Sequence, residues 1–292
     1  MIFLFSACTD ETEEVSTLIE GKFVSISNAN VCSWDLNWTN RRQLTSDDSS
    51  SGSFETYYEN PLWSSDGSQI ICTKLFGSRS SSVIRMDSNG DNPEQIFQIN
   101  ERILTMDWSN DDEWIAYSTK SGNGIHIVSM DGQEFKILLE DSEQVQFISW
   151  SEDSRKIAAC NSSNDLFIVD VDTKELNSIH NCSGINSKPY WTPDGEFIAY
   201  SRITGSFQGQ IVTINVNNNL EETIKETNGS MLDYFVVFRW TPDGKYITYL
   251  ARLNLSGTLE AMQVSTGLVV DLNYTQEDFF DELPNGDLFI FP

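Results

Sequence analysis

The chain has 292 residues, of which 39% are hydrophobic, so it carries enough apolar material to bury a sizeable core. Its 44 acidic residues outnumber its 18 Lys and Arg, and the formal net charge of −26 would repel a phosphate backbone or an anionic membrane surface. The charge therefore argues against nucleic acid as a partner, and we expect contact with a membrane only through a covalent anchor.

The first eight residues form an apolar run that ends in Ser6, Ala7 and Cys8. This ending resembles the lipobox of bacterial lipoprotein signal peptides, in which the cysteine becomes the lipidated first residue of the mature protein. The run departs from that pattern because it lacks a leading Lys or Arg and is shorter than the usual apolar core of roughly 7 to 15 residues with its flanks. The resemblance implies export and lipidation of Cys8, and the alternative is a frayed apolar N-terminus with a chance cysteine.

Residues 9–19 follow as an acidic tether, with four carboxylates between Asp10 and Glu14. Such a segment is solvated, and it also resembles the acidic export signals of some Bacteroidetes lipoproteins. The two segments together predict a membrane-anchored lipoprotein of the bacterial envelope, on the periplasmic or the cell-surface side of the outer membrane.

A motif of one Trp and a turn recurs five times in the remaining chain. The copies are Leu62-Trp-Ser-Ser-Asp-Gly67, Asp107-Trp-Ser-Asn-Asp-Asp112, Ser149-Trp-Ser-Glu-Asp-Ser154, Tyr190-Trp-Thr-Pro-Asp-Gly195 and Arg239-Trp-Thr-Pro-Asp-Gly244. In each, an apolar strand ends at Trp, Asp caps a turn in which Gly supplies the positive φ, and an alternating strand returns antiparallel. Two further strand-like runs complete each unit, as at Ile125–Val128 and Glu134–Leu138. Four antiparallel strands per unit of about 42 residues are typical of a β-propeller blade.

A sixth, degenerate copy at Leu283–Phe291 places Glu282 in the Trp position. We therefore expect C-terminal strands near Asp278–Leu283 and Asp287–Phe291 to join N-terminal strands near Val31–Asn37 and Arg41–Leu44. Residues 20–292 are thus predicted to be an all-β, six-bladed β-propeller with four-stranded antiparallel blades, whose ring is closed by N- and C-terminal strands.

The repeat Trp-[Ser/Thr]-Pro-Asp-Gly-x-x-Ile-x-[Tyr/Phe], with Ile-x-x-x-Asp-x-[Asn/Asp]-Gly after it and an outer strand such as Arg42–Thr45, resembles the TolB or WD40-like (PD40) propeller repeat. The resemblance covers roughly residues 20–292. Asp112 and Ser154 replace Gly, and we expect these departures to blunt individual turns without breaking the pattern. The resemblance implies a protein-binding scaffold of the cell envelope.

Catalytic and metal-binding patterns are missing from the sequence. No Gly-x-Ser-x-Gly, His-Glu-x-x-His or phosphate-loop motif occurs, and His126 and His180 are the only histidines. Cys32, Cys72, Cys160 and Cys182 lack Cys-x-x-Cys spacing, and we expect no necessary disulfide. We predict no catalytic residue, metal or cofactor, although a convergent pair of carboxylates in the central channel stays open.

Propeller topology directs attention to one face of the ring. The Asp-Gly turns lie on what we term the first face, whereas the longer connections, residues 45–60, 77–82, 202–210 and 225–233, lie on the second face. Variable loops on a repeated scaffold often bind partners. The expected binding residues on the second face are Phe54, Tyr57, Tyr58, Arg79, Arg202, Phe207 and Tyr234. The alternative is that these loops pack on themselves.

Three functions are compatible with these features of the sequence. The favoured one is a monomeric, non-enzymatic envelope lipoprotein whose propeller binds another protein or a peptide. The second is a propeller that binds or processes a glycan. The third is a peptidase-like protein without its hydrolase domain, which we disfavour because six blades occupy the chain.

Overall fold

The chain folds into six antiparallel four-stranded sheets, as a computed structural model shows. The structure describes residues 21–27, 29–35, 40–46, 56–77, 79–140, 143–181, 183–204, 208–227, 234–253, 256–275 and 287–290. All the regular elements of this part of the chain are strands, which confirms the predicted six-bladed β-propeller. The predicted lipidation site, Cys8, and the tether lie outside the described residues.

The strands follow the chain blade by blade. Blade 1 contains β1 (Gly21–Ser27), β2 (Asn30–Asp35) and β3 (Arg42–Gln43). Blade 2 contains β4 (Thr56–Trp63), β5 (Gln69–Phe76), β6 (Ser80–Asp87) and β7 (Glu94–Ile99). Blade 3 contains β8 (Ile103–Trp108), β9 (Trp114–Thr119), β10 (Gly122–Ser129) and β11 (Phe135–Leu139). Blade 4 contains β12 (Val145–Trp150), β13 (Lys156–Asn161), β14 (Asp165–Asp170) and β15 (Leu176–Asn181).

The last two blades have the same order. Blade 5 contains β16 (Tyr190–Trp191), β17 (Phe197–Ile203), β18 (Gly209–Asn215) and β19 (Glu221–Glu226). Blade 6 contains β20 (Tyr234–Trp240), β21 (Tyr246–Leu253), β22 (Ser256–Gln263) and β23 (Val269–Thr275). The final strand, β24 (Asp287–Ile290), joins blade 1. In blades 2 to 6 the strand that ends in Trp is the first of its sheet, and we term it the inner strand.

The ring closes as expected, with the C-terminal strand in the same sheet as the N-terminal strands. β24 pairs antiparallel with β1, from Gly21 opposite Ile290 to Val24 opposite Asp287, and β1 separates it from β2. The prediction that the C-terminal strand joins the strands near Val31–Asn37 and Arg41–Leu44 in one sheet is confirmed, but β1, which lies between β24 and β2, was not predicted. Gly21-Lys-Phe-Val of β1 repeats the Gly-x-[Phe/Tyr]-Ile sequence that leads into β17 and β21, so β1 is the second strand of the closing blade. The predicted strand at residues 278–283, with Glu282, lies outside the described residues.

The repeated Trp residues occupy equivalent places between neighbouring blades, as predicted. Each is only 3% to 6% exposed and packs in a cluster with apolar side chains of the preceding blade. Trp191, for example, packs with Ala158 and Cys160 of blade 4, and its Nε1 donates a hydrogen bond of 3.2 Å to the carbonyl of Ser149. Burial of these large rings at each seam makes the blades depend on one another.

Each turn after a Trp is held by the same pair of side chains. The hydroxyl that follows the Trp donates to the Asp two residues later, as Thr192 Oγ1 does to Asp194 Oδ1 over 2.5 Å. The same hydroxyl accepts the backbone N–H five residues on, here that of Phe197 at 3.0 Å. Hydrogen bonds from the Ser68 side chain and backbone, and then from Ser64, hold the pKa of Asp66 in the first such turn below its ordinary value.

The two turns without glycine are not blunted, contrary to expectation. Asp112 and Ser154 adopt φ values of 58° and 56°, close to the 70° of Gly195, and both keep the turn hydrogen bond. Their side chains also reach the neighbouring turn. Asp112 accepts hydrogen bonds from the backbone and hydroxyl of Ser65 at 2.9 and 2.6 Å, and Ser154 Oγ accepts the N–H of Asp111 at 3.0 Å. These contacts join blade 2 to blade 3 and blade 3 to blade 4 on the first face.

Candidate functional site

The inner strands surround a central cavity of about 200 Å³. Its lining comes from five blades: Asn60, Pro61 and Leu62, Leu104 to Met106, Gln146 and Phe147, Asn186 to Lys188 with Tyr190, and Val236 and Val237. Most of these residues precede the Trp of their strand by three to five positions, so they lie in the half of the ring nearer the second face. Among the described residues, the lining contains no His, Cys, Asp or Glu.

Uncharged hydrogen-bonding side chains dominate the polar part of this lining. Asn60 lies at a β-bulge, where the register between β4 and β5 shifts between Glu59 and Leu62, and its φ of 51° is in the left-handed region. Asparagine tolerates this conformation better than most residues. Opposite in the ring, Asn186 Nδ2 donates to the carbonyl of Phe235 at 3.1 Å.

One ion pair crosses the ring at the first-face end of the cavity. Lys188 Nζ of blade 5 contacts Asp107 Oδ1 of blade 3, and blade 4 lies between the two in the ring. The other oxygen of Asp107 accepts the N–H of Trp150 at 2.6 Å, and the Lys188 ammonium lies 5.4 Å from the ring centroid of Tyr190. The side chains of Lys188 and Asp107 are 16% and 11% exposed, so the pair is largely desolvated. Both charges are compensated locally.

A second ion pair lies toward the second face. Arg102, just before β8, binds Glu59 of β4, with its Nε 3.3 Å from Glu59 Oε2. Glu59 and Asp107 are the two carboxylates of inner strands whose side chains the structure describes, and each has a cationic partner.

Of the predicted aromatic binding residues, the structure describes Tyr57, Tyr58 and Tyr234. Phe54 and Phe207 lie outside the described residues. Tyr58 is 6% exposed and packs with Val24 and Trp63 between blades 1 and 2, so its predicted place on an exposed loop is wrong. The error arose because β4 begins at Thr56 and passes through Pro61 at its bulge.

The remaining predicted residues have different surroundings. Tyr57 is half-buried in β4, and Tyr234 begins β20 against the apolar cluster between blades 6 and 1. Arg202 binds Glu221 Oε1 at 2.7 Å and Gln210 Oε1 at 3.0 Å within blade 5, so it is not a free recognition group. Arg79 is exposed in the hairpin between β5 and β6 on the second face. The structure therefore leaves Arg79 and part of Tyr57 accessible on that face.

Sequence reasoning missed Asn60, Asn186 and Lys188. Asn60 and Lys188 both stand three residues before the Trp of their strand. Aligning the five copies at that position would have identified these two residues.

Cys160 is disulfide-bonded, whereas the sequence led us to expect no necessary disulfide. Cys32 and Cys72 are buried thiols, so neither is its partner. Burial raises the pKa of the Cys72 thiol to about 12, which makes that cysteine unreactive. The apolar run around Cys160 is typical of a buried strand. Such a run looks the same whether its cysteine is a free thiol or forms a disulfide.

Metal coordination has no candidate in the described part of the chain. No group of three or more His, Cys, Asp or Glu side chains is placed to hold a metal ion there. Within the same ranges, no helix is long and apolar enough to cross a membrane.

The fold and the channel define a six-bladed β-propeller whose central cavity has a polar, largely neutral lining. Residues 76–292 match the model of the TolB β-propeller domain (PD40), and the chain belongs to this family. A putative TolB from Agrobacterium tumefaciens has a similar fold, with a TM-score of 0.61 and 16% identity over 94% of this chain and 98% of that one.

Two curated relatives are also similar to parts of this chain. Dipeptidyl-peptidase 5 of Porphyromonas gingivalis is 22% identical over 254 residues, which are 78% of this chain and 36% of the relative. The Tol-Pal system protein TolB of Alcanivorax borkumensis is 33% identical over 73 residues, or 24% of this chain and 17% of the relative. The matched regions thus span about a third and a sixth of those relatives.

Proposed function

We propose that this chain is the propeller of an exported envelope protein that binds a segment of another protein on its second face. The observation that carries the proposal is the chemistry of the central cavity. Its lining offers amide and hydroxyl groups, whereas the two described inner-strand carboxylates are held by Lys188 and Arg102. Such a lining suits recognition of polar groups rather than acid–base chemistry. Kinship with a Tol-Pal system protein agrees with a binding role.

A glycan-processing propeller is less well supported. Glycoside hydrolysis generally uses two carboxyl groups about 5 to 10 Å apart, one of which must accept or deliver a proton. Asp107 is bound by Lys188 and by the N–H of Trp150, and Glu59 is bound by Arg102. Either carboxylate would have to leave its cationic partner before it could accept a proton and deliver it. The peptidase activity in the name of the Porphyromonas relative is a property of a protein of which this chain spans 36%.

The proposal includes a lipid anchor at Cys8 and an envelope location. The disulfide of Cys160 supports export, because disulfides persist in oxidising compartments and are rare in the cytosol. The lipobox-like ending at Cys8 and the acidic tether support anchoring. The variant Cys8→Ser should move the protein from the membrane fraction of the native host to the soluble fraction, and unchanged fractionation would refute the anchor.

Site-specific crosslinking in the native host tests the binding face. A photoreactive amino acid at Arg79, exposed on the second face, should give a discrete crosslinked product. The same residue at Glu196 or Lys245, exposed beside turns of the first face, is the matched control and should give none. Crosslinks only from the control positions would mean that the first face is the binding surface.

A further inference from the structure

A second cavity, of about 500 Å³, lies between blades 1 and 2 toward the outer edge of the ring, and we term it the seam cavity. Its volume is within the range of about 300 to 1,000 Å³ that is usual for sites that bind small organic groups. The wall is formed by the outer edge of blade 1 and by the face of blade 2 that is turned toward it. The lining side chains include Leu44 and Thr45 of blade 1 and Tyr58, Lys74, Ile84 and Met86 of blade 2.

A comparison of blades 1 and 2 shows why blade 1 leaves this space open. Asn40 and Asn92 each donate a side-chain hydrogen bond to the aspartate five residues earlier, at 2.6 and 2.7 Å, and both have a positive φ. The two asparagines therefore mark the same turn in the two blades. Thr45 follows Asn40 by five residues, just as Phe97 follows Asn92. Blade 1 thus carries a small threonine where blade 2 carries a phenylalanine.

Blade 2 lacks a second ring that fills the next seam. Cys72 is the fourth residue of β5, and Tyr117 is the fourth residue of β9. In the seam between blades 2 and 3, the rings of Phe97 and Tyr117 pack with their centroids 5.4 Å apart. The equivalent residues between blades 1 and 2 are Thr45 and Cys72. The seam cavity therefore lies where the neighbouring seam holds a pair of aromatic side chains.

The wall of the seam cavity suits an aromatic occupant. Ile84 and Met86 provide apolar surface, and a thioether packs favourably against aromatic rings. Lys74 Nζ lies 5.6 Å from the ring centroid of Tyr58 and 5.5 Å from that of Phe76. An ammonium group attracts the face of an aromatic ring, whereas an aliphatic group gains nothing comparable from it. The cavity therefore favours an aromatic ring over an aliphatic group of the same size.

The seam cavity is continuous with the second face. Lys74 lines the cavity, and Phe76, which is 41% exposed, ends the same strand at the second face. Two residues of a strand span about 7 Å. Arg79 follows in the hairpin and is exposed on that face. A segment bound beside Arg79 is therefore close enough to place one long side chain in the cavity.

We infer that the seam cavity anchors an aromatic side chain of the protein segment that binds the second face. This inference rests on the proposed protein-binding function and names the class of residue that the propeller captures. Aromatic side chains are frequent anchors in interfaces because they fill a pocket with a large, rigid surface. The partner's ring takes the place that Phe97 fills in the next seam, in contact with the Lys74 ammonium.

Two probes of similar size test the ring preference without a known partner. Benzyl alcohol and cyclohexylmethanol differ in whether their ring is aromatic, and molecules this small are expected to bind in the millimolar range. The NMR signal of the Met86 methyl group, which lines the cavity, reports occupancy. Benzyl alcohol should shift this signal and bind about three-fold more tightly than cyclohexylmethanol, because of the cation–π contact. Equal affinities, or an unmoved Met86 signal, would overturn the inference.

Variants that fill the cavity locate the site. Thr45→Phe introduces the residue that blade 2 has at the equivalent place, so benzyl alcohol should no longer shift the Met86 signal. Thr223→Phe is the matched control, because Thr223 is exposed on β19 of blade 5 and its replacement should leave binding unchanged. Thr45 Oγ1 also accepts the N–H of Val31 at 2.9 Å, so Ile84→Phe, which fills the cavity without that loss, is tested beside it. Binding that persists in both filled variants would overturn the assignment.

The crosslink from Arg79 separates this inference from the proposed function. If the cavity anchors the partner, Thr45→Phe should abolish that crosslink, and a crosslink that persists would reject the anchor site and retain protein binding. Ring selectivity in the parent protein without any crosslink from Arg79 would support the cavity as a ring site and reject the proposed binding face. Binding of benzyl alcohol only in Phe54→Ala would overturn the inference, because the chain's own Phe54 would then be the occupant.

Discussion

Replacing Asp112 by glycine restores the residue that the repeat uses in this turn, yet the structure predicts that the change destabilises the protein. Asp112 receives two hydrogen bonds from Ser65 of the preceding blade, at 2.9 and 2.6 Å. A comparison of the repeats alone favours Gly, because Gly67, Gly195 and Gly244 fill the equivalent position with φ values of 67° to 70°. The repeat pattern and the contacts of Asp112 therefore predict opposite signs for the change in stability.

The sizes of the opposing free-energy contributions decide the sign of the change in stability. A left-handed conformation costs a non-glycine residue about 1 to 2 kcal/mol, and less for Asp, whose side chain can bond locally. Replacing Asp112 by Gly relieves that cost, but a glycine also makes the unfolded chain more flexible, which offsets about 0.4 to 1 kcal/mol of the relief. Hydrogen bonds to a charged group contribute about 1.5 to 3 kcal/mol each, which we reduce to about 1 kcal/mol each because Asp112 is partly exposed. The net expectation is a loss of about 1 to 2 kcal/mol.

Chemical denaturation with Asp112→Gly measures this difference. The denaturant concentration at the unfolding midpoint should fall. The slope of the unfolding free energy against denaturant concentration should stay unchanged, because the substitution hardly alters the surface exposed on unfolding. Ser154→Gly is the matched control: its side chain accepts one hydrogen bond, from the N–H of Asp111, so the change should be close to neutral. A double-mutant cycle with Ser65→Ala should give a coupling of about 0.5 to 1 kcal/mol for the hydroxyl contact. A more stable Asp112→Gly variant, or no coupling, would refute the proposed link between the blades.

Three further changes test the packing and the ionisation of buried groups. Trp191→Ala should cost about 3 to 5 kcal/mol in denaturation, because it empties the seam between blades 4 and 5, and a near-neutral result would contradict the assigned packing. Tyr58→Ala should cost about 3 kcal/mol and half-buried Tyr57→Ala clearly less, and equal losses would contradict the burial described for Tyr58. Burial, and then the nearby Glu101 carboxylate, raise the pKa of Tyr117 from 10.0 to about 12, so its contribution to stability is complete below pH 10 and is lost as the pH rises through 12. Between pH 9 and pH 11 the free energy of unfolding of Tyr117→Phe should therefore fall by about 1.4 kcal/mol less than that of the parent protein. Parallel plots of unfolding free energy against pH for the two proteins would exclude the pKa shift.

The repeated part of the fold was predictable because the same local physics recurs five times. A buried Trp, a capping Asp and a positive-φ residue specify one turn and one seam in each blade, and a period near 42 residues specifies the blade. The closing blade was predictable only in part. The strand at Gly21–Ser27 keeps the Gly-x-Phe-Val start of the repeat, and β24, from the other end of the chain, takes the place beside it that a Trp-containing strand takes in the other blades.

The binding residues were less predictable, because their exposure depends on where strands end. Residues 45–60 were expected to form a connection, yet β4 begins at Thr56 and continues through the bulge at Asn60, and Tyr58 is buried within it. Arg202 was chosen for its charge, and its partner Glu221 lies two strands away in the same blade. The cysteine expectation failed for a similar reason, since a sequence does not show which residues the fold brings near Cys160.

The channel illustrates which differences among repeats carry information about function. Positions that fold the blade are nearly constant within this one chain: all five copies keep Trp, then Ser or Thr, and then Asp after one intervening residue. The residue three places before each Trp differs in every copy, and these five residues are Asn60, Thr105, Phe147, Lys188 and Val237. All five line the same cavity, so one structural position supplies an amide, a hydroxyl, an aromatic ring, a cation and a branched apolar group to one volume of about 200 Å³. Phe147 and Val237 also pack in the seams between blades, so this position serves both the core and the lining, and its variation around the ring gives the cavity a chemically asymmetric wall.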